Sequence, residues 1–203
     1  MIQAQHHRLY IWFFRNYFGL LAFVHFRKTS LVRPVAIPEN RSVLLLQNHF
    51  SWWDGYWSYE LSRNVFHRKF HVMMLEEQLR KHTFLNKCGV FSIQKKNRNS
   101  LKSIQYASGL LADPKNLVAI YPAGELLTQH QQTVHFQKGI ERILSTENAV
   151  FEIVLAVVLV DYFGSARPEI RIYLENYSGV RTVDELEKAY HLFYQSCIAN
   201  QSE

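Results

Sequence analysis

Apolar and polar positions follow two rhythms along this chain. Compact aliphatic runs bounded by polar or turn residues predict strands over 42–47, 70–75, 117–121, 152–161 and 169–175, the last alternating as Glu-Ile-Arg-Ile-Tyr-Leu-Glu. Helical spacing predicts helices over 54–65, 76–87, 99–112 and 183–198. Thr182 stands where it can cap the last long helix, whose first turns carry Asp184, Glu185 and Glu187 on the positive end of the dipole. Strands alternating with helices imply an α/β fold, a mostly parallel central sheet flanked by helices, with an antiparallel edge near 169–175.

Residues 9–26 keep neither rhythm. They are apolar and aromatic almost throughout, with Arg15 and Asn16 in the middle and Arg27-Lys28 at the end. A membrane span needs about 20 mostly apolar residues, and this run is slightly short with an arginine at its centre. The expectation is an N-terminal amphipathic membrane-interface helix within residues 1–30, followed by a single α/β domain over 31–203; a helix packed on the domain as plain core is the alternative. No small-residue cleavage site follows the run, which argues against a secretory signal.

A hydrophobic content of 48% over 203 residues is enough for one sizeable core, and no Pro/Gly/Ser-rich stretch or charge block divides the chain. The two cysteines, Cys88 and Cys197, are too few for a disulfide framework or a zinc site and read as reduced packing residues. The net charge of +6 suits nucleic acid or an anionic membrane equally, but the aromatic N-terminal segment favours the membrane surface. The expected place is therefore the cytoplasmic face of a membrane, peripheral or monotopic, with no nucleic-acid partner. His71, His130 and His135 show no metal-ligand spacing, so no metal is expected.

The candidate chemistry begins where the strand Val43-Leu44-Leu45-Leu46 ends. His49 and Asp54 are separated by four residues, and Asp54 falls in the first turn of the next helix, so its carboxylate can reach the imidazole. A carboxylate on one ring nitrogen fixes the tautomer and leaves the other to take a proton from an attacking hydroxyl. The alternative is a capping aspartate beside a surface histidine. Ser51 lies in the same stretch without a Gly-x-Ser-x-Gly elbow and is read as structural. Trp52, Trp53 and Trp57 are read either as core or as an apolar surface that lines a ligand tunnel or dips into lipid, with core favoured for Trp57.

Further segments follow in a telling order. Asn48-His49 through Asp54 resembles the Asn-His-x-x-x-x-Asp block, the HX4D motif, of the glycerolipid or lysophospholipid acyltransferases. Gly89-Val90-Phe91-Ser92-Ile93-Gln94-Lys95 resembles that family's second block, with Lys95 in place of its usual arginine. Tyr121-Pro122-Ala123-Gly124-Glu125-Leu126 resembles Phe-Pro-Glu-Gly, but Ala123 replaces the glutamate and Leu126 a downstream arginine. Phe136-Gln137-Lys138-Gly139 is similar to the segment after the third block, and Ala156 stands where the fourth block carries proline. The resemblance covers about residues 40–162, resting on the order and spacing of blocks.

The resemblance implies direct transfer of a fatty acyl group from a thioester, acyl-CoA or acyl-ACP as co-substrate, to a lipid hydroxyl, without a cofactor or a covalent enzyme intermediate. It implies His49 as general base and Asp54 as its orienting partner. Asn48, Lys95, Tyr121, Pro122, Gly124 and Glu125 become candidate substrate contacts. Lys95 or backbone amides around Gly124 would receive the developing oxyanion, and Lys96 and Arg98 are candidate phosphate contacts. Because Leu126 offers no donor and Glu125 would repel a phosphate, a sugar hydroxyl of a glycolipid or glycosylated carotenoid is a rival acceptor. A third reading is a non-catalytic, membrane-bound family member.

Overall fold

A computed structural model of the chain describes residues 1–94, 100–131, 133–145 and 151–201. Strand β2 (Ser42–Gln47) is buried along its whole length. Such a strand must be covered on both faces, and its unbroken Val-Leu-Leu-Leu run is the composition that allows this. It pairs in parallel with β5 (Asn116–Ile120) on one side and β6 (Phe151–Asp161) on the other. The sheet continues through β3 (Lys69–Leu75) and β4 (Val90–Ile93) at one margin. At the other margin stand β7 (Glu169–Tyr177) and β1 (Lys28–Arg33), giving the order β1-β7-β6-β2-β5-β3-β4.

Antiparallel pairing does occur where the sequence suggests, between β6 and β7. However, β7 is not the edge, because β1 covers it in parallel from Lys28↔Glu169 onward. Two strands thus escaped the hydrophobic pattern: β1, five of whose six residues are exposed, and the four-residue β4. The sheet's first strand also begins at Lys28, inside the stretch assigned to the N-terminal helix.

Side chains alternate across the sheet and build two cores. Leu44, Leu46, Val118, Ile120, Ile153 and Leu155 face α4 (Ser100–Leu111), α5 (Gly139–Leu144) and α6 (Val183–Ala199). Val43, Leu45, Leu117, Ala119 and Val154 face Trp57 and Leu61 of α2 (Asp54–Asn64). The predicted helix over 76–87 divides into α3 (Glu76–Lys81) and a 3-10 segment, Thr83–Lys87. Thr182 is the N-cap of α6, but its hydroxyl makes no capping bond.

The first helix, α1 (Arg8–His25), is moored at both ends. Ahead of it, the amides of Gln5 and His7 bond Asn86 O and Lys87 O, and Gly89 N returns to Gln5 O. Behind it, Arg167 donates to the carbonyls of Phe23 and Val24, a cation placed on the negative end of the helix. In between, Phe14 stacks on Phe84 at 4.5 Å and Phe18 packs edge-on against Trp52 and Trp53. Leu9, Trp12, Phe13, Leu20, Phe23 and Val24 remain exposed on its outer face. No described helix is long and apolar enough to cross a membrane.

Candidate active site

Parallel strands present the turns after their carboxyl ends to one side of the sheet, where α/β folds place their ligands. β2 and β5 are neighbours there, so the loop that leaves Gln47 meets the loop that leaves Ile120. The first carries His49 and the second Tyr121 and Pro122. Leu127 N closes the junction by donating to His49 O at 2.8 Å.

The first turn of α2 holds the imidazole. His49 Nδ1 lies 2.7 Å from Asp54 Oδ2, and the same oxygen accepts from Phe50 N and Ser51 N at 2.8 Å each. Because a carboxylate only accepts, Nδ1 carries the proton in this bond and Nε2 is the unprotonated nitrogen of the neutral ring. Asp54 is fully buried while the His49 side chain is 25% exposed, so the partner is fixed and the imidazole stays accessible. Ser51 Oγ accepts from Trp53 N, consistent with its structural reading.

The face of the imidazole is covered as well. Tyr121 stacks on His49 with ring centroids 4.2 Å apart. Its hydroxyl meets Ser58 Oγ at 3.2 Å, and Ser58 donates to Gln47 Oε1 at 2.9 Å. Burial, and then the nearby Asp54 carboxylate, push the Tyr121 phenol far above its ordinary range, so it stays a neutral donor. Gln47 and Ser58, both fully buried, were missed in the sequence, although a glutamine ending an otherwise apolar strand is a buried polar group in need of a partner.

Asn48 has a different role from the substrate contact anticipated. Its side-chain amide donates to Val158 O and accepts from Val158 N, both at 2.8 Å, clipping the His49 loop to β6. Gly124 is needed for shape: its φ is +68° and an added Cβ would lie 3.1 Å from Gln137 Cγ. Its amide donates to Tyr121 O and is therefore not a waiting oxyanion donor. Gln137, which the sequence marks only as part of the segment after the third block, holds this turn through its backbone amide on Pro122 O and its side chain on Ala123 O, each 2.9 Å. Ala123 points into the core, in the place where the family's glutamate would stand. Lys95, Lys96 and Arg98 lie outside the described residues.

His49, Tyr121, Pro122, Gly124 and Glu125 all line one groove of about 1090 Å³ that runs beneath α1. Its walls are mainly apolar, including Phe14, Phe18, Val72 and Ile140. Trp52 and Trp53 line it too, whereas Trp57 is core. A groove of this size and apolar lining has room for a long apolar chain, with His49 on its wall.

The Acyltransferase family model matches residues 29–155. The chain belongs to the glycerolipid acyltransferase family. The matched span includes His49 and Asp54, the Tyr121–Glu125 turn, the central strands β2 and β5, and the first five residues of β6. A search among curated proteins found no match. Membership makes the chain an acyltransferase.

Proposed function

We propose that this acyltransferase moves a fatty acyl group from an acyl-CoA or acyl-ACP thioester to a hydroxyl of a membrane-associated lipid. The observation that carries the reading is the His49–Asp54 pair, 2.7 Å apart, at the side of a large apolar groove. His49 Nε2 takes the acceptor's proton as the oxygen bonds the thioester carbon. As the tetrahedral intermediate collapses, the carbon–sulfur bond breaks and the imidazolium returns its proton to the departing thiolate. Asp54 stabilises the imidazolium between these steps. An intact histidine–aspartate pair, with its carboxylate buried and its imidazole accessible, is what a non-catalytic scaffold would not need.

The outer face of α1, with Trp12 at 61% and Phe23 at 76% exposed, suits the interfacial layer of a bilayer. Arg8 and Lys28 flank it and favour an anionic leaflet, the cytoplasmic face. This would bring the groove to its lipid acceptor. A sugar hydroxyl is the second acceptor reading, supported by exposed Glu125 on the groove and by Leu126 where the family carries arginine.

The test is thiol release from palmitoyl-CoA by the purified full chain, with lysophosphatidate or a monoglycosyl lipid added and the product identified by mass. His49→Ala should lose about 10²- to 10⁴-fold in rate while remaining folded. A folded His49→Ala protein with near wild-type turnover would remove His49 from the chemistry.

A further inference from the structure

Helix α1 turns a stripe of residues inward, and Arg15 stands in the middle of it between Ile11, Phe14 and Phe18. All four line the groove, and Arg15 is its one cation among the described lining residues. The guanidinium is half-buried. Among the described residues no carboxylate or carbonyl bonds it and no aromatic ring stacks with it. Its field is still felt across the groove: burial pushes the Tyr59 phenol up, and Arg63 and Arg15 both act against that.

A cation withdrawn from water is costly unless something neutralises it. An arginine meant only for lipid phosphates would sit with the outward residues Trp12, Leu20 and Phe23, yet this one faces the domain. The one acidic residue of the described lining, Glu125, belongs to the turn after β5 and makes no ion pair with it. The missing partner is then an anion that arrives with the ligand. Planar guanidinium suits phosphate and carboxylate alike.

We propose that Arg15 is the anion anchor of this groove, holding the phosphate or carboxylate of an acidic amphiphile whose apolar chain lies against Phe14, Phe18 and Val72. This rests on the lipid acyltransferase reading and deepens it. An acceptor carrying both an anion and a free hydroxyl satisfies Arg15 at one point of the groove and meets His49 and Glu125 at another. The cation that the third block lacks at Leu126 is supplied from α1.

Equilibrium binding to the full chain in neutral-detergent micelles tests the anchor separately from turnover, so absence of acyl transfer would overturn the reaction but not this site. The probes are lysophosphatidate, a free fatty acid and a monoacylglycerol, all of one chain length. Wild type should bind at least one acid on the order of 10- to 100-fold more tightly than the monoacylglycerol. Arg15→Gln should erase that preference with little effect on the neutral probe, and Arg15→Lys should keep part of it. Which acid loses affinity identifies phosphate or carboxylate as the source of the anion. Equal binding of acids by wild type and Arg15→Gln overturns the proposal, as does tighter binding of monoacylglycerol by wild type. A loss seen only on anionic vesicles, never in neutral micelles, would assign Arg15 to the bilayer surface and overturn it as well. Thermal melting of both variants separates a lost contact from a lost fold.

Discussion

The imidazole of His49 lies nearly flat on the ring of Tyr121, with planes only 14° apart, while its edge is held by Asp54. The imidazole is thus restrained in two perpendicular directions, and small misplacements of a reacting group can cost up to about a hundredfold in rate. Tyr121→Ala should fall by up to about that factor in kcat with a smaller change in KM. Tyr121→Phe keeps the stack and loses the hydroxyl contact to Ser58, so it should stay within about tenfold of wild type. Steady-state kinetics of the two variants check this, and equal losses would show that the hydroxyl, not the ring face, matters.

Asp54 has a structural duty beside the chemical one proposed for it. Its Oδ2 accepts from His49, Phe50 and Ser51, and the residue is fully buried. Asp54→Asn weakens three charge-assisted bonds at once and presents an amide that disturbs the imidazole tautomer. We expect both a lower melting temperature and a rate loss, whereas His49→Ala should melt close to wild type. Calorimetry on both proteins distinguishes the roles, and an Asp54→Asn enzyme of unchanged stability and rate would reduce Asp54 to an incidental cap.

Much of this site was legible because it depends on short-range relations. The five-residue step from His49 to Asp54 is closed by the tight turn that leads into α2, and the apolar runs of β2, β5 and β6 announce a buried parallel sheet. What was hidden depends on contacts distant in sequence. The Asn48–Val158 and Gln137–Pro122 clips join segments that no local pattern connects. Strand β1 shows no alternation because it is an exposed edge, and β4 is too short to show a period. Arg15 read as an interruption in an apolar helix; only the docking of α1 turns it into a groove residue.

Removing residues 1–28 would take away more than the proposed membrane contact. It would delete one wall of the groove and the N-terminal segment bonded to Asn86, Lys87 and Ser92. The outer face can be changed alone: Trp12→Ser, Leu20→Ser and Phe23→Ser together replace side chains that are 61%, 64% and 76% exposed. Burying such a side chain in an apolar layer contributes about 1.5–3 kcal/mol. The triple variant should therefore lose at least about tenfold in partitioning to anionic vesicles while its melting temperature and thioester cleavage in micelles remain. Sedimentation with vesicles measures this, and unchanged partitioning would place the membrane contact elsewhere.

Acid should loosen the mooring of α1. His6 donates to Phe70 O at 2.8 Å and meets His71 edge-on at 4.7 Å. His71 is 2% exposed, has an unpartnered Nδ1, and bonds Asn116 Oδ1 through Nε2. Burial, then His6 and Lys69, lower its pKa from 6.5 to about 3, and burial lowers that of His6 as well. Between pH 6.5 and about 3 the unfolded chain holds a proton that folded His71 refuses. Stability is thus fully present above pH 6.5 and declines as pH falls through this window, by about 1.4 kcal/mol per pH unit for a fully shifted group. Urea unfolding across the upper part of that window, above the range where carboxylates titrate, isolates the histidines. His71→Gln retains a donor for Asn116 but cannot titrate, so its stability should fall with acid by close to one proton less than wild type. An identical pH slope in the two proteins would mean that His71 is not the group that refuses the proton.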